Sequence, residues 1–239
     1  MKKIELPLLT SRQHQSWVGL LELANKLPTG WTLIGGQLVQ LHCWENDKSP
    51  VRITTDIDTV LDVVSNPDIL KTFTKSLQEL GFIPKTSADG LQYKWTRDLA
   101  EIDVLLMDNI GERSLLRTGI TGAPSIETPG GRKVLEFSEK VEILLNEHRA
   151  IINRPSLVGA LFIKSAAALN TNDIGRDRHL IDFAVLATLI NSEVSFKISD
   201  AKVINSIRAS IGSLRNRHDL IATIDSAKEG LDRLEIALS

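Results

Sequence analysis

One short stretch limits what this chain can fold into more than any other: Arg52-Ile53-Thr54-Thr55-Asp56-Ile57-Asp58-Thr59-Val60-Leu61. Arg52, Thr54 and Asp56 alternate with β-branched residues, which reads as a strand over residues 51–64. Side chains two residues apart on a strand share a face, so Asp56 and Asp58 stand side by side. Neighbouring carboxylates resist ionising together, and a divalent cation removes that conflict. Their hard oxygens suit Mg²⁺, or Mn²⁺, held together with substrate phosphates.

Two further features extend the pattern. Glu101-Ile102-Asp103 repeats the alternation within a second strand, 101–107, and makes Asp103 a third carboxylate on a neighbouring strand. Three acidic groups on adjacent strands form a site for one or two metals that can assist phosphoryl displacement. Upstream, Gly35-Gly36 turns an apolar strand, 31–34, into a short helix, 37–44. Such a turn offers backbone N–H groups and a helix N-terminus to phosphate.

Apolar periodicity predicts helices over 12–27 and 67–80, and a strand over 91–97. Residues 111–135, with five glycines and two prolines, read as short strands and turns. Helices are expected near 137–149, 156–170, 178–191, 200–211 and 216–236. The order predicts an α/β (α+β) fold: a mixed sheet with flanking helices over residues 1–135, then a helical domain over 136–239 that closes a cleft. The length of 239 residues allows one large domain or two small ones.

Composition excludes several classes. With 42% apolar and 24% charged residues the chain is neither disordered nor collagenous. No apolar run approaches the roughly 20 residues of a membrane span. The start, with Glu5, Pro7 and Arg12, holds no apolar stretch of signal-peptide length, so a cytoplasmic protein is expected. A net charge of −2 gives no global basic field for nucleic acid. A local cluster, Arg208, Arg215, Arg217 and His218, reads either as an RNA-backbone contact or as a solvated helix face. Cys43 is the single cysteine, which excludes an intrachain disulfide and a cysteine-based zinc cage. His42 reads as a packed structural histidine. Lys94 and Arg97 read either as phosphate contacts or as a solvated strand face.

Helical geometry singles out one more pair. Lys164 falls inside the apolar stripe of Leu157, Leu161 and Ala168, where a buried ammonium needs a partner. On the next helix Asp182 shares a face with His179, Phe183, Leu186 and Ile190, and also needs one. An Asp182–Lys164 contact would satisfy both.

The ordered combination resembles the core of the polymerase-β-like nucleotidyltransferase superfamily. In detail it is similar to the AbiEii-like nucleotidyltransferase toxins, which include the MenT-type toxins. That group has a GG or GS turn, an R-x-[ST]-x-D-x-D strand and a later I-D-[VIL] strand. Here these are Gly35-Gly36, Arg52 to Asp58 and Ile102-Asp103-Val104. The family's lysine-bearing helix and R-D-x-x-x-x-D-L helix start are matched by Lys164 and by Arg176-Asp177 to Asp182-Phe183. The likeness covers roughly residues 15–190. Two departures stand out: the family often has Ser where Gly36 stands, and Lys-Asp where Arg178-His179 stands.

The resemblance implies a nucleotidyltransferase fold and Mg²⁺- or Mn²⁺-dependent transfer of a nucleoside monophosphate from an NTP. It implies metal ligation by Asp56 and Asp58, with Asp103 as the third metal ligand or as the base for the acceptor hydroxyl, and nucleotide binding by Gly35, Gly36, Arg52, Thr54 and Lys164. Asp177 or Asp182 would help position Lys164. The implied acceptor is RNA, especially a tRNA 3′ end, or a protein, and some members are toxins balanced by a cognate antitoxin. Alternatives stay open: a small-molecule acceptor, as in aminoglycoside nucleotidyltransferases, or a catalytically inactive nucleotide-binding or interaction module. Lys164–Asp182 is either an interior ion pair or part of the triphosphate site, and Asp177 either a positioning acid or a helix N-cap.

Overall fold

The computed structural model describes residues 1–111, 117–170, 173, 175–191, 196 and 198–238. Its main sheet contains β2 (Trp31–Ile34), β3 (Ile57–Leu61), β4 (Ile83–Lys85), β5 (Lys94–Arg97), β6 (Ala100–Met107) and β7 (Ile126–Thr128). The strand order is β2-β3-β6-β5-β4, with β7 pairing the far half of β6. β3 and β6 run parallel, while β2–β3, β5–β6 and β4–β5 are antiparallel.

Helices α1 (Ser11–Lys26), α2 (Gly35–Glu45) and α3 (Ile69–Glu79) precede most of the sheet in sequence. α1 begins in a capping box. Thr10 accepts from the Gln13 backbone, and the Gln13 side chain accepts from the Thr10 backbone. Trp17, Leu20, Leu21 and Leu23 of α1 are buried, as are Ile69, Leu70, Phe73 and Leu77 of α3. All four residues of β2 are buried, so apolar side chains cover both of its faces. This is the mixed α/β architecture that the element order predicts.

Three expectations are corrected. The strand expected over 51–64 pairs only over 57–61. Its neighbour β2 ends at Ile34, opposite Asp58, and turns into α2 at Gly35. Asp56 therefore precedes the ladder instead of lying in it.

The helix expected at 137–149 is a hairpin of β8 (Ser138–Leu145) and β9 (His148–Pro155). Val141, Ile143 and Leu145 are buried at period two, while Asn146 turns the chain at φ 52°. Glu, Lys and Leu in that stretch imitate an amphipathic helix, but the alternation decides. β1 (Lys2–Glu5) adds in parallel to β8.

After α4 (Gly131–Leu135) and the hairpin come α5 (Leu157–Ala168), α6 (Arg176–Thr188), α7 (Ala201–Arg215), α8 (His218–Ile221) and α9 (Ala227–Ala237). The helix expected over 216–236 is thus two, broken before Ser226, which sits at φ 59°. α5 packs on α6, and α9 on α6. At Gly230 of α9 a Cβ would lie 2.8 Å from the Ala187 carbonyl, so the close helix approach requires glycine. Among the described residues, no helix is long and apolar enough to cross a membrane.

Candidate active site

Strand register assembles the site. One row across the sheet reads Ile34, Asp58, Asp103, Lys94, Lys85, each residue directly opposite the next. Asp58 and Asp103 are cross-strand neighbours on one face, where like charges repel. Two residues along, on the same face, come Asp56 and Glu101. The expected trio of Asp56, Asp58 and Asp103 shares this face. The three whose carboxylate oxygens lie within 4.8 Å of one another are Asp56, Glu101 and Asp103, among the described residues.

Burial sharpens the repulsion. Desolvation, with Asp56 second, pushes the Asp58 carboxyl up to about 6. Desolvation, with Asp58 second, pushes Asp103 up to about 7. Asp103 Oδ1 is buried and has no hydrogen-bond partner among the described residues. An all-oxygen donor set with a buried oxygen that lacks a hydrogen bond, and has Lys94 Nζ 3.6 Å away, fits a hard divalent cation.

Gly35 closes this row from above. Its φ is +73°, and a Cβ there would lie 1.7 Å from Asp58 Oδ2. Gly35→Ala is expected to cost at least about 1–2 kcal/mol from the left-handed backbone alone, with displacement of Asp58 added. A denaturant midpoint and a Mn²⁺ titration should both fall. The Ser/Gly departure at Gly36 also has a local cause: a Cβ there would lie 2.5 Å from the Thr54 methyl. Ile34 precedes α2 without capping it through its side chain, so the first N–H groups of the helix are left to another acceptor.

Buried amides hold the incoming segment. Gln37 Nε2 donates to the Thr54 carbonyl at 2.7 Å, and Gln40 Nε2 to the Arg52 carbonyl at 3.0 Å. Trp17 Nε1 donates to Gln37 Oε1, and Gln13 Nε2 to Gln40 Oε1, both at 2.9 Å. With these carbonyls fixed, Arg52 and Thr54 turn into the cleft and Ile53 turns out, 66% exposed. The Thr54 hydroxyl donates to Asp56 Oδ1.

The expected Asp182–Lys164 contact is present. Lys164 Nζ donates to Asp182 Oδ2 at 2.7 Å, and Arg52 Nε and Nη2 donate to the same carboxylate at 2.7 Å each. Burial alone would raise the Asp182 pKa, but Lys164 and Arg52 outweigh it and hold the carboxylate below its ordinary value. Lys164 and Arg52 line a cleft of about 410 Å³ together with Gly35, Gly36, Thr54, Asp56, Asp58 and Asp103. Asp182 lies behind them.

Asp177, expected beside Lys164, faces elsewhere. Five residues of α6 separate it from Asp182, a rotation of about 140° at the helical pitch. Its carboxylate meets Arg217 at 3.0 and 3.4 Å. It is in the first turn of α6, and Gly175 is the N-cap. The C-terminal arginines are engaged as well: Arg215 with Asp232 and Glu235, Arg217 with Asp177 and Asp219, and Arg208 with the Leu238 carbonyl. His42 is buried between Arg154 and the Pro155 carbonyl.

Several cleft residues were not anticipated from sequence. The far wall carries Asp173, Arg178 and His179, with His179 Nε2 2.9 Å from Asp173 Oδ2. Burial, with Lys164 second, lowers the His179 pKa. Glu127 of β7 also lines the cleft. Glu101 and Lys94, the latter read from sequence as a phosphate contact or a solvated strand residue, meet each other beside Asp103 instead. The two-residue turn Asp98-Leu99 pairs Arg97 with Ala100, and that register sets Lys94 opposite Asp103.

No protein-family model matches the chain, and no curated protein sequence matches it. Among solved structures, an antigenic nucleotidyltransferase-like protein from Paracoccidioides brasiliensis is similar over 90% of this chain and 94% of that one. The TM-score is 0.54 at 15% identity. The antibiotic-resistance factor ANT(2'')-Ia aligns over 88% of this chain and 99% of its own, with a TM-score of 0.44 and 14% identity. The first of these likenesses shows a nucleotidyltransferase-like fold.

Proposed function

We propose that this cleft transfers a nucleoside monophosphate from an NTP to an acceptor. The observation that carries the reading is the single strand register that sets Asp58 against Asp103, with Asp56 alongside, beneath the uncapped Gly35-Gly36 start of α2. Asp56, Asp58 and Asp103 would hold Mg²⁺ or Mn²⁺, with Glu101 placed to join them. Bound there, the ion would neutralise charge on the reacting phosphates.

The protein's own groups do the rest. Backbone N–H groups of Gly35 and Gly36 receive phosphate oxygens. Lys164 and Arg52, held in place by Asp182, offset the triphosphate charge, and Thr54 fixes Asp56. An acceptor oxygen attacks the α-phosphorus, forming the new P–O bond while the bond to the leaving pyrophosphate breaks. An oxygen of Asp103 not engaged by the ion would take the acceptor's proton as the base.

The family resemblance points to an RNA or protein acceptor and to a toxin with a cognate antitoxin. One observation favours a second reading, a cationic small molecule. Glu127 and Asp173 line the cleft, and Arg215 and Arg217 of the C-terminal basic cluster are occupied by acids. Incubation with Mg²⁺ and each α-labelled NTP, with total tRNA, lysate protein or an aminoglycoside as separate acceptors, separates the two. Label in RNA or protein supports the first, and label in the small cation the second. The Asp56→Ala/Asp58→Ala variant should leave every arm blank.

A further inference from the structure

We infer that Lys94 is a built-in counter-cation of the carboxylate cluster, which a divalent ion must displace in order to bind. The inference rests on the metal reading above and goes beyond it by assigning a competing group. The Lys94 ammonium bonds Glu101 Oε1 and lies 3.6 Å from Asp103 Oδ1. Those two residues, with Asp56, are the ones whose oxygens converge. The same carboxylates therefore serve an ammonium in one state and a dication in the other. Both cations on them at once would repel each other.

The placement is built into the sheet. The turn at Asp98-Leu99 fixes Lys94 opposite Asp103, so the ammonium is delivered to the cluster by register. Lys85 stands directly across β4–β5 from Lys94, and that like charge favours turning Lys94 toward the acids. Of the cations that line the cleft, Lys164 and Arg52 are bonded to Asp182, and Arg178 to Asp173. Lys94 is 34% exposed in its side chain, and its flexible four-carbon stem allows it to leave without disturbing β5. Lys94 acts on the cation through the ligands it shares with it, and is a positioning residue.

The test needs no turnover. Free Mn²⁺ is followed by electron paramagnetic resonance during titration of the wild type, Lys94→Met, Lys94→Arg and Asp103→Asn, without nucleotide. Lys94→Met should bind Mn²⁺ about tenfold tighter or more, and Lys94→Arg close to wild type. In the unmodified chain, saturating Mg²⁺ should increase acylation of Lys94 by an amine-reactive ester, mapped by mass spectrometry, with other lysines unchanged. Equal or weaker Mn²⁺ binding by Lys94→Met, or Lys94 acylation that ignores Mg²⁺, would overturn the inference. If the wild type still binds Mn²⁺ and Asp103→Asn does not, the metal reading survives that failure. If neither the wild type nor Lys94→Met binds Mn²⁺, both fall.

Discussion

Asp103→Asn should lower nucleotide transfer on the order of 10³-fold and, without metal, make the same protein more stable at pH 8. The two effects share one cause. Asp103 is buried beside Asp58, and its carboxyl titrates at about 7 in the folded state against an ordinary 3.8. A carboxyl with a raised folded pKa supports the fold while protonated. That contribution is complete below about pH 4 and is lost as pH rises through about 7. At pH 8 the metal-free wild type carries the cost of an ionised, buried Asp103, at most about 4 kcal/mol. The asparagine side chain does not ionise, so the variant should melt several degrees higher at pH 8 and level with wild type near pH 4. Added Mg²⁺ should raise the wild-type melting temperature and leave the variant's nearly unchanged. Thermal melts at the two pH values, with and without Mg²⁺, check all of this. A variant less stable than wild type at pH 8 would mean that Asp103 is structural.

Asp182→Ala carries the second large effect, in the opposite direction. Asp182 accepts from Lys164 and twice from Arg52, and the Lys164 side chain is only 3% exposed. Removing the carboxylate leaves a buried ammonium without its partner, which costs about 3–5 kcal/mol. For a chain of this size that is a fall of roughly 10 °C in melting temperature. The same depressed pKa predicts that this contribution fades only in strongly acidic solution. Replacing both partners, Lys164→Met with Asp182→Leu, should recover part of the stability, because the buried ammonium goes with its carboxylate and only Arg52, 33% exposed in its side chain, loses a partner. If Lys164 also faces the triphosphate, the double variant still binds NTP weakly. Stability and nucleotide affinity restored together would reduce the pair to an interior tie between α5 and α6.

Much of this was legible because it follows from short-range rules. Period-two alternation puts Asp56 and Asp58 on one face, and a positive-φ glycine turn ends β2. Helical pitch brings Lys164 and Asp182 together. The remainder depends on pairing between distant segments. Glu101 joins the carboxylates, and Lys94 reaches them, only once β5 and β6 are in register. The carboxylate that anchors Arg52, Asp182, comes from α6 130 residues away and is not visible in the Arg52 motif. The hairpin at 138–155 hides because Glu, Lys and Leu suit a helix as well as a half-buried strand. Asp177 was carried over with its motif, but a helix turns by residue number, and that number aims it at Arg217.

The central claim is that the carboxylate row and the Gly35-Gly36 turn hold one metal–nucleotide complex. Crystals grown with Mn²⁺ and a non-hydrolysable NTP analogue test it most directly. The account predicts an anomalous peak within about 2.0–2.2 Å of the Asp56 and Asp103 carboxylates, with the triphosphate lying against the start of α2. An ordered nucleotide bound elsewhere, or bound here with no metal on these carboxylates, would contradict it.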